Sequence, residues 1–123
     1  TGENLMSIFN LYAQSNINGQ ISHIVPNGRA WRVHAIGIIV GVGATLPVTM
    51  TWGAQVNSTG TLHAQDLTPS GTQYIMASKG ATPGQSSHGP VYNLPDVFLP
   101  SGDEILFSST EATGFTVAMV IED

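Results

Sequence analysis

Histidine and carboxylate side chains are the residues of this 123-residue chain that could do chemistry. The four histidines are His23, His34, His63 and His88. No two of them have the H-x-H or H-x3-H spacing that directs two imidazoles toward one metal ion from a strand or a helix. We therefore expect no metal site and no cofactor, and we interpret the histidines as solvent-facing or hydrogen-bonded side chains.

The eight carboxylates do not form an obvious acid–base pair. Asp103 and Glu104 are adjacent, so a strand directs them to opposite faces, whereas glycoside cleavage needs two carboxyl groups that converge on one bond. The segment Ser86-Ser87-His88 lacks the G-x-S-x-G turn that presents a nucleophilic serine, and the chain has no cysteine. We therefore predict no catalytic residue and no enzymatic activity.

Aromatic and polar side chains in the second half of the chain are better candidates for binding. Tyrosine rings combine an apolar face with a polar tip, and we expect Tyr74 and Tyr92 to be exposed. Residues 78–95 contain three Pro and three Gly, and an irregular loop of that length is usually functional. We therefore name four candidate ligand or partner contacts: Tyr74, His88, Tyr92 and Asn93.

Charge composition excludes two classes of partner. The net charge is −5, and the only cations are Arg29, Arg32 and Lys79. Phosphate backbones and anionic membranes both attract clusters of Lys and Arg, so we expect neither nucleic acid nor a membrane as a partner. Only 9% of the residues are charged, against about 25% in an ordinary soluble domain. Such a low charge suggests that neighbouring molecules cover much of the surface.

The strongest strand signal follows the turn at Pro26-Asn27-Gly28. The run after this turn is rich in Trp, Val and Ile, which favour strands. Strict alternation predicts that one face of this strand carries Trp31, Val33, Ala35, Gly37 and Ile39. A second, cleanly one-sided strand is predicted to direct inward the side chains of Val48, Met50, Trp52, Ala54 and Val56.

Shorter segments and turns complete an all-β pattern. Further strands are predicted at 21–25, 61–64, 72–77, 96–99, 104–108 and 115–121. The turns Val25-Pro26-Asn27-Gly28 and Leu99-Pro100-Ser101-Gly102 resemble each other, since each fixes φ at Pro and permits positive φ at Gly. Two such turns before long strands suggest equivalent corners of a double Greek key. We therefore predict an antiparallel jelly-roll sandwich of about eight strands.

Residues 1–18 are the one segment with helical periodicity. The apolar positions that recur at helical spacing are Leu5, Ile8, Phe9 and Tyr12. We interpret this segment as an N-terminal arm or short helix that anchors the protein through these side chains, and residues 19–123 as the jelly-roll domain. A first strand of the domain is an equal alternative for residues 1–18.

Several strand and turn patterns resemble those of a known group of proteins. The stretches PNGRAWRVHAIGIIV, VTMTW, LPDVFLPSGDEILFSS and VAMVIED resemble small jelly-roll proteins of tailed-bacteriophage virions, which include head decoration proteins and distal modules of head or tail fibres. The resemblance covers residues 19–122, and trimeric TNF-like heads and viral capsid modules share the same patterns. It implies a structural role in the virion and carries over no functional residue, because the group has no catalytic motif.

Two functions from different classes therefore follow from the sequence. The first is a non-enzymatic virion protein that self-associates, as a trimer or other ring, and decorates or projects from a phage capsid in contact with other virion proteins. The second is a lectin-like module that binds a host-surface glycan through loops at one end of the sandwich.

Overall fold

Strands and the turns between them make up the residues that the computed structural model describes, which are 8–14, 19–54, 62–69, 71–110 and 114–123. The strands are β1 Ile8–Gln14, β2 Gln20–Ile24, β3 Trp31–Val40, β4 Val48–Ala54, β5 Leu62–Leu67, β6 Tyr74–Ser78, β7 Gly84–Gln85, β8 Pro90–Asn93, β9 Val97–Leu99, β10 Asp103–Ser108 and β11 Phe115–Glu122. No helix occurs within these ranges.

The strands form two sheets that pack as a sandwich. The larger sheet has the order β1-β11-β3-β6-β8-β7, with β9 also paired to β3, and the smaller sheet has the order β2-β10-β4-β5. The four-strand units β1-β11-β3-β6 and β2-β10-β4-β5 together have the strand order of a jelly roll, in which two Greek keys share the sheets. The predicted all-β jelly-roll sandwich is therefore confirmed, and β7, β8 and β9 are additions between β6 and β10.

β3 is central to the larger sheet, and it contains a bulge. Val33 pairs with Ile121 of β11, whereas the next pair joins Ala35 to Val120, so His34 is an extra residue in β3. Because side chains alternate with a period of two, one extra residue reverses the faces to which all later side chains point.

Burial along β3 follows this reversal. The buried side chains are those of Trp31, Val33, Ile36, Ile38 and Val40. The prediction that one strict alternation extends from Trp31 to Ile39 is therefore wrong beyond Val33. Ile39, which that alternation placed with the buried residues, is exposed.

β4 shows the predicted alternation from Val48 to Trp52, and the next residue, Gly53, is buried as well. Val48, Met50 and Trp52 are buried against the opposite sheet. The prediction is wrong for Ala54, which is exposed because the strand ends there. Val56 lies outside the described residues.

The hydrophobic core lies between the inner faces of the two sheets. Its largest fully buried side chains are Phe107, Ile38, Met50, Leu67, Ile75, Leu99, Ile105, Met119 and Ile121. They come from both sheets, so that the sheets stabilise each other; burying one such side chain contributes about 1.5–3 kcal/mol.

The first strand corrects the interpretation of the N-terminal segment. Ile8–Gln14 pairs antiparallel with β11 over its whole length, so the arm or short helix is wrong for these residues and the alternative, a first strand, is correct. Phe9 packs on the core and contacts the Trp31 ring edge to face, at 5.9 Å between ring centroids. The sandwich therefore includes residues before 19. Leu5 lies outside the described residues.

The two similar turns lie side by side at one end of the sandwich. Val25 donates its N–H to the carbonyl of Asp103 at 2.9 Å, and Gly102 donates its N–H to the carbonyl of Val25 at 3.1 Å. The Ser101 hydroxyl accepts the Gly28 N–H at 3.2 Å. Gly28 and Gly102 have φ of 82° and 87°, a conformation that glycine adopts without strain. The two turns thus hold each other in place.

Residues 78–95 are more regular than predicted. They contain β7 and β8, and β8 runs parallel to β6 over the pairs Met76 to Val91 and Ala77 to Tyr92. This parallel pairing extends the larger sheet beyond the jelly-roll strands.

A substitution in β1 tests whether this strand belongs to the core. We expect Phe9→Ala to lower the free energy of unfolding by about 2–3 kcal/mol, because it removes a large apolar side chain and its contact with Trp31. Ile8→Ala is the matched control, since the Ile8 side chain points outward and is 68% exposed. Urea unfolding of both variants measures the difference, and equal small losses would mean that β1 does not pack on the sandwich in solution.

Candidate interaction surface

The outer face of the larger sheet forms a shallow apolar trough. Pairing between β1, β11, β3 and β6 places Tyr12, Ala118, Gly37 and Met76 in one row across the sheet. The neighbouring row consists of Asn10, Val120, Ala35 and Ser78. These eight residues line the trough, whose volume is about 350 Å³. We call this surface the apolar trough.

Small residues form the floor of the apolar trough, and larger ones form its walls. A Cβ atom added at Gly37 would meet no heavy atom within 4 Å, so the space above the floor is open. Tyr12 stands at one wall with 67% of its surface exposed, and Met76 stands at the other. A partner with a protruding apolar group can pack into this trough more closely than it could pack on a flat sheet face.

Ion pairs occupy the end of the same sheet face where β3 begins. The ion pairs are Arg29 with Asp123, Arg32 with Asp96 at 3.3 Å and Lys79 with Asp96 at 3.2 Å, and beside them His34 Nε2 lies 2.5 Å from Glu122 Oε1. We call these residues the charged strip. All three cations of the chain therefore have a carboxylate partner, and the apolar trough beside the strip contains no charged side chain.

Asp96 is the centre of the charged strip. Its hydrogen bond from Lys79 lowers the pKa of the Asp96 carboxyl, and the charges of Lys79 and Arg32 add to this effect. The Arg32 guanidinium also lies over the Phe98 ring, 4.9 Å from its centroid, a favourable cation–π geometry. Arg32 and Lys79 are therefore committed to contacts within the chain.

The structure brings together two of the four predicted ligand contacts. The rings of Tyr74 and His88 meet edge to face at 6.4 Å, and together with Met76 they line an open hollow of about 360 Å³. Tyr92 and Asn93 lie elsewhere and have structural partners. The Tyr92 hydroxyl accepts the Thr68 N–H at 3.0 Å and donates to the Thr68 carbonyl at 3.1 Å, and the Asn93 side-chain oxygen accepts the Gly80 N–H at 3.1 Å.

A tight loop positions His88 beside Tyr74. The Ser86 hydroxyl accepts the N–H groups of His88 and Gly89, both at 3.2 Å, and donates to the Gly89 carbonyl at 2.8 Å. Gly89 lies against β6 so closely that an added Cβ would be 1.8 Å from the Tyr74 carbonyl oxygen. Ser86 therefore bonds the loop backbone, and the loop can approach β6 only because residue 89 has no side chain.

The sequence did not predict the stacking of Trp52 on His63. The two rings are opposite each other on β4 and β5, 5.4 Å apart at 24°, and they line a hollow of about 270 Å³ with Asp96, Phe98 and Asp103. Alternation along a single strand does not show which residue of the neighbouring strand lies opposite. That depends on the register between β4 and β5, so the sequence pattern could not predict this contact. In the described part of the chain, no group of three or more His, Asp or Glu side chains is placed to hold a metal ion.

Comparison with known proteins assigns no family. No protein-family model matches the chain, and no curated protein is significantly similar to it. None of the described residues forms a helix long and apolar enough to cross a membrane. The fold places the protein in the class of jelly-roll sandwiches, and the outer face of its larger sheet carries the apolar trough beside the charged strip.

His23 points toward the core from β2, and its Nε2 atom is buried without a hydrogen-bond partner among the described residues. Burial lowers the pKa of His23, so the folded protein keeps the imidazole neutral at a pH where the unfolded chain is protonated. The unfolded state therefore binds more protons below about pH 6.5. The free energy of unfolding falls as the pH drops below this value and levels off once the pH is below the folded-state pKa.

We expect His23→Gln to lose less stability than the wild type between pH 7 and pH 5, because glutamine does not titrate. Urea unfolding at both pH values measures the change, and His88→Gln, which replaces an exposed histidine, is the matched control. An identical pH dependence in His23→Gln and wild type would contradict the buried position of His23.

Proposed function

We propose that this protein is a non-enzymatic structural module of a bacteriophage particle, which associates with copies of itself and decorates or projects from the capsid. The observation that carries the proposal is the apolar trough on the outer face of the larger sheet. Capsid or other virion proteins are its further partners, and the virion is its location.

A comparison of the two outer sheet faces supports self-association. When one face of an antiparallel sheet is in water, its outward residues are mostly polar. The central strands of the smaller sheet follow this rule at Thr49, Thr51 and Ser108, with one apolar exception at Leu106, which lies opposite Thr51. At the equivalent central positions of the larger sheet, Gly37, Ala118 and Val120 point outward. These small and apolar residues leave a hollow on the outer face into which an apolar group of a neighbouring copy can pack.

Composition and sequence pattern supply the rest of the proposal. A chain with 9% charged residues keeps little charge on its surface, and neighbouring subunits remove such a surface from water. The resemblance of residues 19–122 to small jelly-roll virion proteins gives the biological setting. A trimer or other ring is the assembly that we propose on this basis.

A charge placed on the floor of the apolar trough tests the proposal. We expect wild-type protein to have a mass of several times 12.9 kDa in light scattering, with a trimer at three times that value. Ala118→Glu places a carboxylate in the contact without a partner, which costs about 3 kcal/mol or more and weakens association by about 100-fold.

Thr51→Glu is the matched control, because Thr51 has a comparable half-buried, outward position on a central strand of the smaller sheet. It keeps the wild-type mass, and circular dichroism establishes that both variants are folded. Self-association is excluded if the wild type stays at 12.9 kDa at all accessible concentrations, and the trough is excluded if the two variants behave alike.

The pair formed by Tyr74 and His88 favours a second candidate function, binding of a glycan. Tyr74 is 45% exposed, and the hollow beside it is lined almost entirely by apolar atoms, which suits the apolar face of a sugar ring. The loop that holds His88 is fixed by Ser86 and Gly89, so that the hollow is formed before a ligand arrives, and preformed sites bind at lower cost.

Glycan-array binding tests this second function. We expect saturable binding by wild type and at least a tenfold loss in Tyr74→Ala, with Tyr12→Ala as a control that removes another exposed tyrosine of the same sheet face, on the edge strand β1. Binding that persists in Tyr74→Ala, or no binding by wild type, removes the lectin-like alternative.

A further inference from the structure

β1 is an edge strand of the larger sheet. It pairs with β11 through all seven of its residues, and among the described residues no other strand pairs with it. One side of its backbone therefore has N–H and C=O groups that another extended strand can bind. Such an edge recognises a strand by main-chain hydrogen bonds.

The features that usually protect an edge strand are missing from β1. Its sequence, IFNLYAQ, contains no charged residue and no Pro, the residues that most often prevent edge-to-edge pairing. The other edge of the same sheet is β7, which has only two residues. The edge strand β5 of the smaller sheet contains Asp66.

Side chains at this edge are incompletely covered on both faces of the sheet. On the inner face, Leu11 is only partly buried, whereas Met119, its partner on β11, is 1% exposed. On the outer face, Ile8 and Tyr12 are 68% and 67% exposed. The core is therefore incompletely covered at β1, where the sheet ends. A further strand added beside β1 would cover the side chains on its inner face and those on its outer face.

We propose that β1 pairs antiparallel with β1 of a second copy of this chain, about a two-fold axis at Leu11. In this register Leu11 faces Leu11 of the second copy, and Asn10 faces the second copy's Tyr12. Every inward side chain then faces an inward one, so that the two sheets continue as one and both cores stay on the same side.

Three properties of the edge select a second copy as the partner. No strand of the described residues pairs with this side of the β1 backbone, and the second copy has the same groups in the same arrangement, which a two-fold axis makes complementary. The strand has no charge, so a charged partner strand would lose hydration without gaining an ion pair. The half-covered Leu11 side chains cover each other across the axis.

This inference rests on the self-association proposed above and adds the surface that carries it. A two-fold contact joins copies in pairs, so it links two rings if the apolar trough forms rings. The trough contact alone gives the trimer proposed above, and when both contacts form, two such rings join into an assembly with an even number of chains.

A pair of charge variants tests the contact. Asn10→Lys with Tyr12→Lys places like charges directly opposite each other at two sites about the axis, which is destabilising. Asn10→Lys with Tyr12→Glu places a cation opposite a carboxylate at the same two sites. Both double variants place charges on the same two residues of the apolar trough, so the difference between them isolates the edge contact. We expect light scattering to show at least tenfold weaker association for the first double variant than for the second, and the difference to shrink at high salt.

The outcomes separate the edge contact from self-association in general. A wild type that associates, with both double variants equally affected or equally unaffected, overturns the edge contact and leaves self-association in place. A wild type that is monomeric at every concentration overturns both proposals. Weakening in the lysine variant alone supports the two-fold contact.

Cysteine cross-linking tests the register. Because the chain has no cysteine, Asn10→Cys and Tyr12→Cys proteins each contribute a single thiol. Opposite residues on paired strands lie at a Cα distance that a disulfide spans, whereas the diagonal neighbours lie beyond about 7 Å. We expect oxidation of an equimolar mixture to give mainly the mixed dimer, while Ala64→Cys on the β5 edge gives none. A predominance of like-with-like dimers overturns the axis at Leu11.

Discussion

One extra residue in β3 determines which side chains of the larger sheet face the core and which face outward. Because His34 is inserted at the bulge, Ile36 and Ile38 point into the sandwich, and Gly37 points out. Without the bulge, the two isoleucines would be exposed on the central strand and the core would have a glycine at its middle. The insertion therefore supplies the core with large side chains and leaves the outer face with small ones.

The same bulge divides the outer face into two regions of different chemistry. His34 points to Glu122 at 2.5 Å and belongs to the charged strip, which collects all three cations of the chain. From Ala35 onward, the outward side chains of β3 have no charge. Among the described residues of this face, charge is therefore concentrated at one end of the sheet, and a neutral region extends from Tyr74 across the sheet to the β1 edge.

The sequence predicted the parts of the structure that depend on one strand at a time. β4 has no insertion, so the alternation of Val48, Met50 and Trp52 was correct, and the two Pro-to-Gly turns were equivalent corners as expected. β3 could not be predicted fully, because a bulge is visible only when the register against β11 is known. Ile8 to Tyr12 has both helical and alternating spacing, and only pairing with β11 decides between them.

The candidate site was predictable to a similar extent. Tyr74 and His88 were named as contacts from their residue types, but their pairing depends on Gly89, which lets the loop approach β6. Tyr92 and Asn93 were named for the same reason, yet their polar atoms bond neighbouring backbone groups. The type of a polar residue does not show whether its side chain forms hydrogen bonds with the backbone of its own chain or is available to bind a ligand.

The apolar trough and the β1 edge form one continuous surface, because Asn10 and Tyr12 belong to both. In the proposed assembly, this continuity gives a physical reason for the unusually low charge of the chain. A charge on this surface would then be placed either in the proposed sheet-face contact or beside the proposed paired edge, and in both places it would lose hydration without a partner. The few cations that the chain has are located where carboxylates of the same chain neutralise them, at the opposite end of the sheet face.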